Sequence, residues 1–440
     1  MITFEELKLT KSVQKAVSEI GFTIPTPIQE EAIPAIKSGR DLLGIAQTGT
    51  GKTAAYILPI LTQLVKAEGE DPRVLVLVPT RELSIQVGED IEELAQFTNI
   101  RSVAIYGGVG WTKHADMITP GIDILVATPG RLIDLYHHNV LSLRKVKTLV
   151  IDEADRMLDM GFMPQIRTIL EYVPMRRQNL LFSATFNEKV EKMTEEFLDI
   201  PLRIEVAPSA TPVEMVKQMV YHVPNFRTKL NLTSQLLENE EEFSKVIIFC
   251  KTKVAAESVF KVVKRKSEGE KRILHSNKAQ SARINAINSF KNDEVRILIS
   301  TDVSARGIDA SKVTHVINFD SPVNYDDYIH RIGRTARAGN QGVAITLLEP
   351  SEEWHFKNIE EIIRMNIPVY DIPEGVDIAV TEKEESQEQL REIDRQHKID
   401  DPTFKGAFHV KKRRFTNDKK DYTDKFTKKP TTQVKKNRHK

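Results

Sequence analysis

Ala46-Gln47-Thr48-Gly49-Thr50-Gly51-Lys52-Thr53 follows a short apolar run, Asp41-Leu42-Leu43-Gly44-Ile45, that reads as a buried strand. It precedes a helical pattern with Ala54, Ile57, Leu58, Leu61 and Leu64 on one face. Strand, glycine-rich loop and helix in that order form the context a phosphate-binding loop requires. Gly49 and Gly51 let the backbone turn its N–H groups inward, and the new helix points its positive end at the same anion. Lys52 reaches the β- and γ-phosphates of a nucleotide, and Thr53 offers its hydroxyl to Mg²⁺. Ala46 stands where the simplest form of this motif has glycine, and keeps the side chain small. Pro59, inside the helical pattern, is expected to end or kink the helix.

Outward from the loop, the chain alternates. Strand-like runs at Val74–Val78, Val103–Tyr106, Ile124–Ala127, Leu149–Ile151, Leu180–Phe182 and Arg203–Val206 are separated by helical patterns. After Pro208-Ser209-Ala210-Thr211-Pro212, which reads as a linker, a second series follows. It comprises Met219–Val223, Val246–Cys250, Arg272–Leu274, Ile297–Ser300, Val316–Phe319 and Val343–Leu348. Short β-branched strands alternating with helices predict parallel α/β sheets, here two domains in tandem. Before the loop, residues 4–40 read as two helices, with Phe4, Leu7, Leu9, Val13 and Val17 spacing the first. Gly21-Phe22-Thr23-Ile24-Pro25-Thr26-Pro27-Ile28-Gln29 breaks and restarts the chain, and places Gln29 to read a nucleobase edge with its amide.

The 440 residues suffice for two or three domains, and 40% hydrophobic with 28% charged residues is ordinary for a globular chain. No apolar run is long enough to span a bilayer, and Met1-Ile2-Thr3-Phe4-Glu5-Glu6 has no signal-peptide pattern. A single cysteine, Cys250, at the end of an apolar strand, excludes an intrachain disulfide and reads as core. These features lead to an expected cytoplasmic location and no membrane partner. The net charge of +1 conceals an asymmetry: Asp401–Lys440 holds 14 basic and 4 acidic residues, a net of +10, leaving −9 for the remainder. From about Tyr370 the alternation fails. An acidic segment covers 371–388, Leu390–Gln396 could form a short helix, and basic clusters beyond Asp401 alternate with Phe404, Phe408, Phe415, Tyr422 and Phe426. So few aliphatic residues predict a tail that stays disordered without a polyanionic partner.

In domain one the polar clusters come directly after strands: Pro79-Thr80-Arg81-Glu82-Leu83, Gly107-Gly108, Thr128-Pro129-Gly130-Arg131, Asp152-Glu153-Ala154-Asp155 and Ser183-Ala184-Thr185. Strand C-termini share one edge of a parallel sheet, so these separated motifs make one surface. Asp152 can hold Mg²⁺ through water, and Glu153 can polarise an attacking water. The plainer alternative for this pair is helix capping, made less attractive by the phosphate loop.

Together Ala46–Thr53, Asp152-Glu153-Ala154-Asp155 and Ser183-Ala184-Thr185 resemble the ATPase motifs of the DEAD-box RNA helicases of superfamily 2, with the bacterial RhlE-type subgroup nearest in impression. The resemblance covers roughly residues 4–368. It implies two tandem RecA-like parallel-sheet domains of the α/β class with a basic C-terminal tail. The expected boundaries are 1–207 for the ATP-binding domain, 208–214 for the linker, 215–369 for the second domain and 370–440 for an RNA-tethering tail. The implied ATP site comprises Phe22 stacking on adenine, Gln29, Thr48, Gly49, Thr50, Gly51, Lys52, Thr53 and Asp309, the last on the ribose. Catalysis falls to Lys52, Asp152, Glu153, His330, Arg334 and Arg337, the two arginines acting as fingers on the γ-phosphate, with Mg²⁺ at Thr53 and Asp152, partly through water. Ser183 and Thr185 resemble the residues that couple hydrolysis to unwinding. RNA contacts are implied at Thr80, Arg81, Gly108, Thr128, Arg131, Gln280, Arg283 and Thr301. Hydroxyl, backbone N–H and guanidinium groups suit a phosphate backbone read without sequence.

The implied function is an ATP-dependent RNA helicase that unwinds or remodels RNA duplexes and RNA–protein complexes, with ribosome-assembly or RNA-decay proteins as conceivable partners. Ser276 and Ala336 depart from the family, which usually has glycine at both positions. Two other readings stay open at this point. One is a DNA-directed translocase of the same superfamily, the other a non-unwinding RNA clamp or annealing scaffold.

Overall fold

The computed structural model describes residues 2–47, 49–64, 66–206, 216–301, 312–323, 325–335, 342–401 and 403–406. Thr48, Asp309, Ala336, Arg337, the linker 208–214 and the basic clusters of the tail lie outside the described residues. In the first domain the elements run α1 (Lys11–Glu19), α2 (Pro27–Lys37), β1 (Leu42–Ile45), α3 (Lys52–Leu64), β2 (Val74–Leu77), α4 (Arg81–Leu94), β3 (Ser102–Ile105), α5 (Trp111–Ile118), β4 (Ile124–Ala127), α6 (Pro129–His137), β5 (Thr148–Ile151), α7 (Ala154–Asp159), α8 (Met163–Tyr172), β6 (Gln178–Ser183), α9 (Glu188–Phe197) and β7 (Leu202–Glu205). The second runs β8 (Val216–His222), α10 (Phe226–Leu236), β9 (Val246–Cys250), α11 (Lys253–Lys266), β10 (Lys271–Leu274), α12 (Gln280–Lys291), β11 (Ile297–Thr301), β12 (His315–Asn318), α13 (Tyr325–Ile332), β13 (Gly342–Leu348), α14 (Glu353–Ile363) and β14 (Val369–Tyr370).

Each domain is one seven-stranded parallel sheet, ordered β3-β4-β2-β5-β6-β1-β7 and β10-β11-β9-β12-β13-β8-β14. Counted within its own domain, the second order is the same as the first. Strands β1, β2, β4 and β5 are buried along their whole length, because helices cover both faces. One face packs residues such as Val76, Val150 and Phe182, the other Leu75, Leu149 and Leu181. Cys250 is buried in the core of the second domain.

Packing overrides local preference at two places. Phe4–Leu9 forms turns rather than a helix, with Lys8 at φ 52°, yet Phe4, Leu7 and Leu9 are buried all the same. Lys37 holds this segment by donating to the Leu7 carbonyl at 2.9 Å. Helix α3 does not end at Pro59 but continues to Leu64. Proline removes one backbone donor there, while burial of Ile57, Leu58, Ile60 and Leu61 outweighs the loss.

Residues 371–381, which pattern reading assigned to the tail, run along α10. Side-chain amides of that helix and of its N-cap, Asn225, donate to their carbonyls: Gln235 to Glu374 at 2.9 Å, Asn231 to Asp377 at 2.8 Å and Asn225 to Ala379 at 2.6 Å. Satisfied backbone leaves no hydropathy signal, which is why the pattern missed it. A separate compact unit begins at Glu382. It contains α15 (Lys383–Asp400), longer than the helix expected at Leu390–Gln396, with an Arg395–Glu392 pair one turn apart.

Candidate functional site

The site is built at strand ends. After β1 the chain turns through Gly49 and Gly51, both at φ +87°, and enters α3 at Lys52. A side chain at Gly51 is excluded twice, by that φ and by Gln29, whose Nε2 would lie 2.3 Å from a Cβ there. Gln29 donates to the Gly51 carbonyl at 3.1 Å and accepts from Thr26 N–H at 3.0 Å at the start of α2. That leaves one amide hydrogen and one lone pair of its amide for a ligand.

Strand β6 lies between β1 and β5. Its end, Ser183-Ala184-Thr185, is therefore wedged between the phosphate loop and the acidic motif. Ala46 N–H donates to the Ser183 carbonyl at 3.0 Å. From the other side, Asp155 Oδ2 accepts from Ala184 N (3.1 Å), Thr185 N (3.0 Å) and Thr185 Oγ1 (3.2 Å). Loop and acidic motif are thus joined through this segment. Glu153 precedes α7 in the left-handed region at φ 51°, a conformation that costs a non-glycine residue about 1–3 kcal/mol and that concentrates at working sites.

These elements enclose a cavity of about 530 Å³ lined by Phe22, Gln29, Lys52, Thr53, Asp152 and Glu153 of domain one and Arg334 of domain two, among others. Phe22 is half-exposed at its mouth, with its ring stacked at 6.2 Å on Phe4. The Lys52 ammonium is buried and has no hydrogen-bond partner among the described residues. A buried unpaired cation is costly unless an anion meets it. Burial pushes the Asp152 carboxyl up to about 6, against the pull of Lys52 and the Tyr56 hydroxyl. Burial also opposes the charge of Glu153, but Arg156 and then Lys52 outweigh it and hold that carboxyl below its ordinary range. Burial lowers His330 to about 4, so its ring is neutral at pH 7, although Asp155 and Glu153 of the other domain pull upward. Arg334 is held by its Nε donating to the His330 carbonyl at 3.0 Å.

The residues expected on RNA divide. Arg81 lies against Gly107-Gly108, where a Cβ on Gly108 (φ +89°) would fall 2.3 Å from its Nη1. Thr80 caps α4 by accepting from Leu83 N–H at 3.2 Å, and Thr128 precedes α6. Arg131 is committed inside the protein. It donates to the Tyr106 carbonyl at 3.2 Å, to the Val109 carbonyl and to Asp134 at 2.7 Å. Gln280 and Arg283 reach across to Glu82 of domain one, at 3.2 and 2.7 Å. Thr301 ends β11, and Ser276 is exposed.

Pattern reading passed over two residues. Glu82 sits inside a motif it quoted, but its partners are 198 and more residues away. Tyr56, fully buried on α3, donates its hydroxyl to Asp152 Oδ2 at 2.9 Å. Its signal was a phenol among aliphatic core positions, since a buried Tyr hydroxyl needs a partner.

A phosphate loop, an acidic motif and an arginine from a second domain around one cavity define a two-domain nucleotide-hydrolysing motor. Comparison with known proteins makes the class specific. Residues 26–193 match the DEAD/DEAH box helicase family model and 228–339 the helicase conserved C-terminal domain. The chain is 42% identical over 350 residues to the ATP-dependent RNA helicase SrmB of Haemophilus influenzae, covering 79% of each. It is 39% identical over 371 residues to the DEAD-box ATP-dependent RNA helicase RhpA of Helicobacter pylori, covering 84% of this chain and 74% of that one. Among solved structures, S. cerevisiae Dbp5 bound to RNA and ADP BeF3 superimposes with a TM-score of 0.74 at 30% identity, over 84% of this chain and 96% of that one. The protein belongs to the DEAD-box ATP-dependent RNA helicases, with their tandem RecA-like domains. It is an RNA-dependent ATPase that couples ATP binding and hydrolysis to the unwinding or remodelling of RNA.

Proposed function

We propose that hydrolysis runs in the cavity described above and that the Lys52 ammonium, buried with no hydrogen-bond partner among the described residues and lining the same cavity as Arg334, is the observation that carries this assignment. Adenine stacks on Phe22 and meets the free amide valences of Gln29. Gly49, Thr50, Gly51 and Lys52 take the phosphates. Thr53 and Asp152, both on the cavity wall, have the hard oxygen ligands suited to Mg²⁺, which when bound neutralises phosphate charge. Glu153 accepts the proton of the attacking water as its oxygen bonds to the γ-phosphorus and the bond to the β-phosphate oxygen breaks. Arg334 stabilises the charge that develops on the transferred group. Arg337 and Asp309 are assigned the second finger and the ribose contact on the resemblance alone. His330, neutral and lying close enough to feel Asp155 and Glu153, ties the second domain to the acidic motif.

RNA lies along the strand ends, contacting Thr80, Arg81, Gly108, Thr128 and Thr301, single strands and short duplexes alike. Gln280 and Arg283 support this path by joining the domains at Glu82. ATP and RNA each favour the closed arrangement, because each meets groups from both domains. Ser183 and Thr185, bonded to both the loop strand and Asp155, transmit the state of the nucleotide. We assign 1–207 to the first domain, 208–214 to the linker, 215–381 to the second domain, because 371–381 run along α10, and 382–440 to a tail whose basic end tethers RNA. A cytoplasmic location and ribosome-assembly or RNA-decay partners fit this reading; no helix among the described residues is long and apolar enough to cross a membrane.

The test is steady-state ATP turnover without nucleic acid, with single-stranded RNA and with DNA of the same sequence. Stimulation by RNA alone is expected. Equal stimulation by DNA would make the enzyme a general nucleic-acid translocase.

A further inference from the structure

Trp111 opens α5, three residues beyond Gly108, and is 46% exposed. Its indole lies nearly parallel to the His138 ring, with centroids 5.5 Å apart and planes at 21°. His138 is itself exposed. The pair is held from beneath by a connected set of bonds. Arg131 donates to the Val109 carbonyl and to Asp134, and the Asp134 carbonyl meets His138 Nδ1 at 2.7 Å. One guanidinium therefore fixes the loop that delivers Trp111 and the helix end that delivers His138.

We propose that Trp111 and His138 form a stacking platform for an unpaired base of bound single-stranded RNA. The proposal rests on the RNA path assigned to Arg81 and Gly108, with which the platform is continuous through Val109 and Gly110. Backbone contacts alone leave the bases free. A flat, pre-positioned aromatic face at the end of that path takes the next base with little loss of side-chain freedom, and without sequence preference, because every base has a π-face. Exposed indole is otherwise an unfavourable surface, and a base covers its face while leaving the edge in water.

The chain has two tryptophans, so Trp354→Phe leaves Trp111 as the sole indole reporter. The full-length protein is titrated with single-stranded RNA and a non-hydrolysable ATP analogue. A parallel series uses RNAs carrying one abasic nucleotide at successive positions. Trp111 emission is expected to be quenched on binding. Trp111→Ala is expected to weaken intact RNA about tenfold, while the abasic RNA at the stacked position binds both forms equally. If Trp111→Ala changes neither affinity nor the abasic profile while Arg81→Ala weakens binding, the platform is wrong and the RNA path stands. Equal weakening of intact and abasic RNA would also overturn stacking. If Arg81→Ala and Trp111→Ala both leave binding unchanged, the path and the platform fall together.

Discussion

The two domains share one strand order and diverge most at the same place. After the first strand of domain one, Lys52 enters its helix with no hydrogen-bond partner among the described residues, beside a cavity. After the first strand of domain two, Lys229 on α10 is equally buried but meets Glu352 at 2.6 Å, Asp320 at 3.4 Å and Glu349 at 3.6 Å. Asp320 follows β12, as Asp152 follows β5. Glu349 and Glu352 follow β13, as Ser183-Ala184-Thr185 follows β6. Burial opposes the charge of Lys229, yet the three carboxylates outweigh it and hold the ammonium above its ordinary range. The second domain has filled its own lysine site with carboxylates, where the first leaves room for a ligand. Arg331 Nη1 donates to the Asp320 carbonyl at 2.7 Å, so the filled site also anchors the helix before Arg334.

Breaking each lysine should therefore have opposite consequences. Lys52→Ala should lower ATP turnover by about 10²–10³-fold, since it removes a donor aimed at developing phosphate charge. Calorimetric unfolding of the nucleotide-free protein should shift slightly upward, because no hydrogen bond is lost and a costly buried cation is removed; retained turnover would refute the phosphate-loop assignment. Lys229→Ala leaves three half-buried carboxylates without their shared cation and should destabilise the second domain by about 1–3 kcal/mol, read by denaturant unfolding. ATP affinity measured on the surviving first domain should persist. A silent Lys229→Ala would mean that the cluster is already protonated or hydrated.

Tyr56→Phe sharpens the comparison more finely. The hydroxyl hydrogen bond favours the ionised form of Asp152, whose carboxyl stands at about 6. Losing it moves that value upward, so the Asp152 carboxyl of the metal-free protein, followed by carbon NMR, should titrate closer to neutral pH, by a fraction of a unit. Burial and the charge of Asp152 push the Tyr56 phenol well above its ordinary value, so it remains a donor throughout. A downward shift, or none, would remove Tyr56 from the site.

The alternating strands and the motifs at their ends were legible because each is contiguous: a glycine pattern, an acidic pair or an apolar run states its local structure within ten residues. Gln280 and Arg283 show where such reading stops. The resemblance implied RNA contacts for both, but their observed partner, Glu82, is brought to them only when the domains meet. The helix expected over Phe4–Leu9 and the helix end expected at Pro59 failed for the related reason that packing overrode local preference.

Sequence by itself determined the class of fold, the nucleotide chemistry and the kinship with RNA helicases, since these reside in short strings with fixed backbone consequences. Only tertiary structure decided which charges are paired. Tyr56 and Asp152 are 96 residues apart, Lys229 and Glu352 are 123 apart, and Trp111 meets His138 across two helices. Strand order brings such groups together, and electrostatic energy depends on the distance and burial that result, which no local pattern encodes.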